Sequence, residues 1–257
     1  MFKNTKPIVF LTVLFLLFVF CNGVVMLSLL RNDSKPDVAQ TSSVKEANVK
    51  PISPSLITKV DPSSNGSLKG NIQVGNIVTF GRYYSANDKV KVPLRWRVLS
   101  VEGNKALLIT ENCIDAMSYH HEYVAIDWEH SDIRKWLNHD FIDMAFNRSE
   151  QKELLATNNI NNAGAITRDS VFLLSIDEAK KYFHSDEERM CEVTPYAKNG
   201  GAFVYPENTM YGWWWLRSRG CYDDDAAVVN VDGHVDGGGL VVNDSYASVR
   251  PALWLNL

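Results

Sequence analysis

The chain has 257 residues, room for one or two domains, and a formal net charge of −4. The charge is uneven: residues 1–70 carry 8 Lys/Arg and 4 Asp/Glu, whereas residues 71–257 carry 18 Lys/Arg and 26 Asp/Glu, a net of −8. An acidic globular part speaks against nucleic acid as a partner, because phosphate binding runs on clustered Lys/Arg.

In chain order the first feature is Ile8 to Leu30, a 23-residue apolar run broken only by Thr12, Asn22, Gly23 and Ser28. A membrane-spanning helix needs about 20 such residues. Lys3 and Lys6 precede it and no acidic residue does, so residues 1–7 are expected in the cytoplasm and everything after Arg31 outside. A cleaved signal peptide is the competing reading, giving a secreted protein. Its apolar core is usually about 7–15 residues, so the length favours an uncleaved transmembrane signal anchor over residues 8–30. Phe20 stands before Cys21 where a lipoprotein cysteine needs a small residue. Residues 31–70 are rich in Ser, Pro, Lys, Asp, Asn and Val and contain no aromatic residue. They cannot bury enough apolar surface to offset their ordering entropy. They read as a disordered extracellular stalk, with a root-mean-square span of roughly 35 Å.

Residues 71–257 read as the globular domain. Ile77 to Tyr83 is a strand with Gly81 at a bulge or bend. Arg95 to Val101 alternates, with Trp96 and Val98 on one face, and Ala106 to Thr110 returns after a four-residue loop, Glu102 to Lys105. A helix opens at Ser131, with Asp132 in its first turn and Ile133, Trp136 and Leu137 as its apolar stripe. Ser149 to Leu155 reads as a second short helix and Val171 to Leu174 as a strand. Ser175 and Glu178 form a capping box that opens a helix to Phe183.

From Trp213 onward the chain reads WWWLRSRGCYDDDAAVVNVDGHVDGGGLVVNDSYASVRPALWLNL. Strand-like aromatic and apolar ends enclose a long polar stretch, the pattern of scaffold strands holding contact-bearing loops. Asp232-Gly233 marks a two-residue hairpin turn, Gly237 to Gly239 a second turn or bulge, and Pro251 an edge strand or bulge in the last strand. The domain is therefore α+β, β-rich in its C-terminal half, with few short helices.

The segments FGRY, WRVL, ALLIT, WEHSDIRKWLN, AF-x-x-SE, VFLLSIDEA, TPYAKNGG, WWWLRSRG, VDGHV and VRPALWL occur in that order. Together they resemble domain of unknown function 6273, found on many extracellular proteins of Gram-positive bacteria, over roughly residues 72–257. The family usually has Pro where Arg219 stands, a departure that bears on the loop after that strand. More loosely, the WWLRS…G…VRP ending is similar to the C-terminal core of C-type-lectin-like folds, including relatives of the formylglycine-generating enzyme. That likeness implies a C-type-lectin-like domain whose C-terminal loops bind ligand. In some proteins of that fold adenine mutagenesis diversifies these loops toward Asn, Asp, Tyr, Ser, Gly and His, and residues 222–248 fit that palette.

The residues singled out for ligand contact are Tyr222, Asp223, Asp225, Asn230, His234, Asp236, Asn243, Asp244 and Tyr246. Asp223, Asp224, Asp225, Asp232, Asp236 and Asp244 could hold calcium, which takes several oxygen ligands, although they lack EF-hand spacing; a solvated acidic loop is the plainer reading. Trp96, Trp136, Trp213, Trp215 and Trp254 read as core. Arg217 and Arg250 read as structural pins, since a buried Arg needs carboxylate or carbonyl partners and can stack on Trp. His120, His121, Glu122, His130 and His139 match no compact metal-ligand spacing, and no nucleophile motif occurs. Cys113, Cys191 and Cys221 are odd in number and show no CxxC, which leaves at most one disulfide, such as Cys191–Cys221. No cofactor is expected beyond calcium.

The leading expectation is a membrane-anchored extracellular binding module for a glycan, a cell-wall polymer or a protein. The alternatives are a cell-envelope enzyme or accessory domain with a metal at the acidic cluster, and a structural surface protein without a specific ligand.

Overall fold

The computed structural model describes residues 72–205 and 208–257. The apolar run Ile8–Leu30 and the segment 31–70 lie outside them. Among the described residues no helix is long and apolar enough to cross a membrane.

In chain order the described residues form β1 (Ile77–Tyr84), β2 (Lys91–Glu102), β3 (Lys105–Thr110) and β4 (Asp115–Ala116), then α1 (Asp132–Asn138), α2 (Asp140–Ala145) and α3 (Arg148–Gln151). Next come β5 (Leu154–Leu155), β6 (Thr157–Ile160), β7 (Ile166–Asp169) and β8 (Val171–Phe172), followed by α4 (Ile176–Tyr182), α5 (Asp186–Arg189) and α6 (Pro195–Asn199). The remainder is strands: β9 (Val204–Tyr205), β10 (Asn208–Gly212), β11 (Trp214–Arg219), β12 (Asp225–Val229), β13 (Val235–Val241), β14 (Ser248–Val249) and β15 (Ala252–Asn256). The class is α+β, β-rich with short helices.

Two sheets build the core. The first runs β1-β2-β3-β15-β5, with β8 also on β15, all antiparallel. The second runs β13-β12-β11-β14-β4, with β11 and β14 parallel. Ala106 to Ile109 of β3 and Ala226 to Val229 of β12 are buried throughout and read as continuous apolar runs instead of alternating ones. Their side chains join those of β11 and β15 in one hydrophobic core. Trp96, Trp128, Trp214 and Trp215 are its largest members, and each indole N–H is bonded: to Phe80 O, Asp169 Oδ2, Arg189 O and Met117 O respectively.

Local signals in the sequence place several elements. Ser131 caps α1 by accepting from Arg134 N, and Ser175 with Glu178 forms the capping box of α4. Gly81 lies at a register shift in β1 with φ +70°, and a Cβ there would meet the Phe146 ring at 2.6 Å. No other residue fits that position.

Elsewhere the structure differs from the sequence reading. The β2–β3 loop has two residues, because Glu102 pairs with Lys105. The helix expected over Ser149–Leu155 ends at Gln151, since Leu154 and Leu155 bond to Leu255 and Trp254 in the first sheet. The β12–β13 turn has three residues: Asn230 N donates to His234 O, and Gly233 takes φ +83°. The bulge expected at Gly237 to Gly239 is present inside β13, where the three residues stand opposite Ala227 alone. Pro251 marks neither an edge nor a bulge. It turns the chain from β14 in the second sheet to β15 in the interior of the first.

Candidate functional site

Three loops meet at one end of the second sheet. They are residues 117–131 before α1, 220–224 between β11 and β12, and 242–247 between β13 and β14. Main-chain hydrogen bonds tie them together: His120 N to Val242 O at 2.9 Å, Ile126 N to Asp223 O at 3.0 Å and Val242 N to Asp224 O at 2.8 Å. Bonding of this kind between loops fixes their relative positions, as a recognition surface requires.

The loops expose aromatic and apolar side chains. Tyr123 is 62% exposed, Tyr222 57% and Tyr246 57%, and Val124 is exposed beside Tyr123. The Asp224 carboxylate, hydrogen-bonded to the Tyr123 hydroxyl, holds that phenol above its ordinary pKa. Asp244 Oδ1 accepts Tyr246 N at 2.7 Å and so shapes the turn that presents Tyr246. Burial pushes the Asp244 carboxyl above the usual carboxylate range. Asp223 pairs with Arg219 at the exposed surface, where an ion pair is worth little.

The nine residues chosen from the sequence do not form one patch. Tyr222, Asp223, Asn243 and Asp244 lie on the loop end, whereas Tyr246, whose carbonyl accepts Phe203 N, stands two residues before Ser248, the partner of Trp214 at the other end of β11. Asp225 is close by but buried at the start of β12, its carboxyl raised by burial and by the neighbouring Asp224 charge. Asn230 and His234 bracket the turn at the far end of the β12–β13 hairpin, with Asp236 one step along β13. A five-residue strand separates the two groups by about 15 Å. Tyr123 and Val124 were missed because they lie about 100 positions away and nothing in their spacing links them to the C-terminal loops.

The six C-terminal Asp residues that could hold calcium are dispersed. Among the described residues, three ligand atoms of His, Cys, Asp or Glu come within 4.8 Å of one another at His120, His121 and Asp132 and at Asp127, Glu129 and His130. None of the six C-terminal Asp residues belongs to either group.

The remaining candidates are held in the framework. Arg217 is 4% exposed and forks onto Glu178, with Leu173 O at 2.8 Å and the Phe172 ring at 5.7 Å. Arg250, 2% exposed, donates to Thr110 O and Arg189 O and lies between the Phe183 and Trp214 rings. Trp213 is half-buried against Phe203 at 5.2 Å. Trp136 is half-buried against Phe141, and Trp254 lies beneath the Lys105 ammonium. Trp214, absent from the sequence-based choice, is buried as completely as Trp215, because β11 is covered on both faces. Cys191 is buried and Cys221 exposed, and no disulfide joins them. Two open clefts of about 630 and 600 Å³ lie elsewhere, lined by none of the loop residues above.

No curated protein and no solved structure matches the chain. A family model described as a domain of unknown function, DUF6273, matches residues 103–257. The match begins at the β2–β3 turn and takes in β3 to β15, with all three loops. The chain therefore belongs to the DUF6273 family.

Proposed function

We propose that the domain is an extracellular recognition module whose ligand meets Tyr123, Tyr222, Asp223 and Asn243. The observation that carries this reading is two exposed tyrosines, Tyr123 and Tyr222, on loops tied to each other by main-chain hydrogen bonds. Tyrosine offers a large amphipathic contact with few rotatable bonds, and exposed aromatics recur where proteins bind partners. Asp225 and Asp244 serve as positioning residues beneath the surface. The ligand class is a glycan, a cell-wall polymer or a protein. A C-type-lectin-like arrangement belongs to the same proposal, supported by a C-terminal strand inside the first sheet and contact loops carried by the second.

The test is a screen of the immobilised full-length chain against glycans, cell-wall fragments and surface-protein extracts, with and without calcium. Binding that Tyr123→Ala and Tyr222→Ala each weaken without unfolding supports the reading.

The apolar run Ile8–Leu30 completes the proposal as a membrane anchor, supported by its 23-residue length and the two preceding lysines. The full chain is expected in the membrane fraction, with its C-terminal domain open to protease added outside intact cells. Deleting residues 1–30 should release it; recovery of the intact chain as a soluble cytoplasmic protein would contradict the anchor.

A further inference from the structure

His120, His121 and Asp132 are brought together by the fold, not by sequence spacing. Ile133 N bonds Tyr119 O at 3.2 Å, which lays the first turn of α1 against the histidine pair. The His120 and His121 rings are then 4.6 Å apart. His120 Nδ1 lies 2.9 Å from Asp132 Oδ2, and His121 Nδ1 lies 2.5 Å from the same oxygen.

The buried member of the group is unusual. His120 is 8% exposed, and its Nδ1 makes no aligned hydrogen bond despite the nearby oxygen. Buried ring nitrogens are normally bonded. Here one points at a carboxylate oxygen already taken by a second imidazole and by the main-chain N–H of His121 at 3.1 Å. Two imidazole nitrogens and one carboxylate oxygen, mutually within 4.8 Å, are instead the donor set of a transition metal. Metal–ligand bonds of about 2.0–2.2 Å place ligand atoms about 3.3 Å apart around a tetrahedral ion, so a small opening of the group admits one.

We propose that His120 Nδ1, His121 Nδ1 and Asp132 Oδ2 bind a divalent ion of the zinc class. Calcium does not suit the set, since it takes six to eight oxygens. His121 is exposed, which leaves a fourth position open to water or to a ligand atom. Lys135 Nζ sits 3.4 Å from the other carboxylate oxygen, Oδ1, on an exposed side chain that can withdraw. The neighbouring group Asp127, Glu129 and His130 is wholly exposed, and Asp127 Oδ1 there accepts from both His130 N and Nδ1 within one turn. It has no buried nitrogen to satisfy. An ion at the first group would clamp the 117–131 loop, and with it Tyr123, onto α1. The site stands independently of the recognition reading, because its probe is the metal alone.

The test titrates Zn²⁺ into the untagged full chain stripped by chelator, followed by calorimetry and by the visible spectrum of the Co²⁺ form. One equivalent should bind, with a Co²⁺ spectrum of a nitrogen- and oxygen-ligated four-coordinate ion. His121→Ala and Asp132→Asn should weaken binding by at least about tenfold while circular dichroism stays unchanged. His130→Ala should leave it intact. No saturable binding, binding indifferent to His121→Ala and Asp132→Asn, or loss with His130→Ala would each overturn the proposal.

Discussion

Gly233 has no room for a side chain. Its φ is +83°, and a Cβ would collide with the main-chain carbonyl of Asp186 in α5, while Arg189 Nε already bonds the Gly233 carbonyl at 2.9 Å. Gly233→Ala combines left-handed strain with a backbone clash and should cost at least about 2 kcal/mol in chemical denaturation. An unchanged midpoint would show that the turn can shift. Asp225 makes a different point. Its carboxyl is raised by burial and by Asp224, so the folded state keeps that proton to higher pH than the unfolded chain does. The resulting stabilisation is full below the unfolded carboxyl pKa, about 3.9, and is lost as pH rises through the folded value. Asp225→Asn removes that loss. The variant should be at least as stable as the parent at pH 7, with the difference vanishing below about pH 4. Melts across that range check it, and a variant much weaker at pH 7 would mean that the carboxylate has a stabilising partner. The sequence showed Asp225 as one acid in a run of three and could not show its burial, which depends on β11 and β13 flanking it.

At the scale of elements, capping was the most legible signal. Ser131 and the Ser175/Glu178 box announced α1 and α4 because a cap is satisfied within four residues. The second role of Glu178 was not legible. Its carboxylate also accepts the Arg217 fork from β11, 39 positions away. That pair joins a helix to the second sheet. Glu178→Ala would leave a buried guanidinium without its carboxylate and should destabilise by about 3 kcal/mol, since breaking one partner of a buried pair costs more than the pair contributes. Double-mutant denaturation with Arg217→Met should recover part of the loss; additive losses would show that the two side chains are not coupled. Helix ends fared worse. Leu154 and Leu155 continue a helical pattern, yet β15, about 100 residues later, offers them a ladder. Tertiary pairing outweighed local propensity there, and also at Pro251, whose turn between sheets looked like a strand edge.

For the whole molecule, composition and motif order sufficed for the class: an acidic, β-rich α+β domain of the DUF6273 family. The core tryptophans were mostly visible, because large apolar residues at strand spacing have few other fates. The surface was half visible. Its C-terminal loops stood out by their polarity, but the loop carrying Tyr123, and the approach of Asp132 to His120 and His121, exist only because the chain returns to the same end of the second sheet. The far turn with Asn230 and His234 looked continuous with the others in sequence and is separated from them in space by the length of β12.

The most direct measurement is the binding screen with the full-length chain and two sets of folded variants. The first set is Tyr123→Ala and Tyr222→Ala; the second is Asn230→Ala and His234→Ala at the opposite end of the hairpin. The account predicts a ligand whose affinity falls about tenfold or more with the first set, the loss typical of a removed aromatic anchor, and stays unchanged with the second. A ligand lost with the second set and indifferent to the first would contradict it.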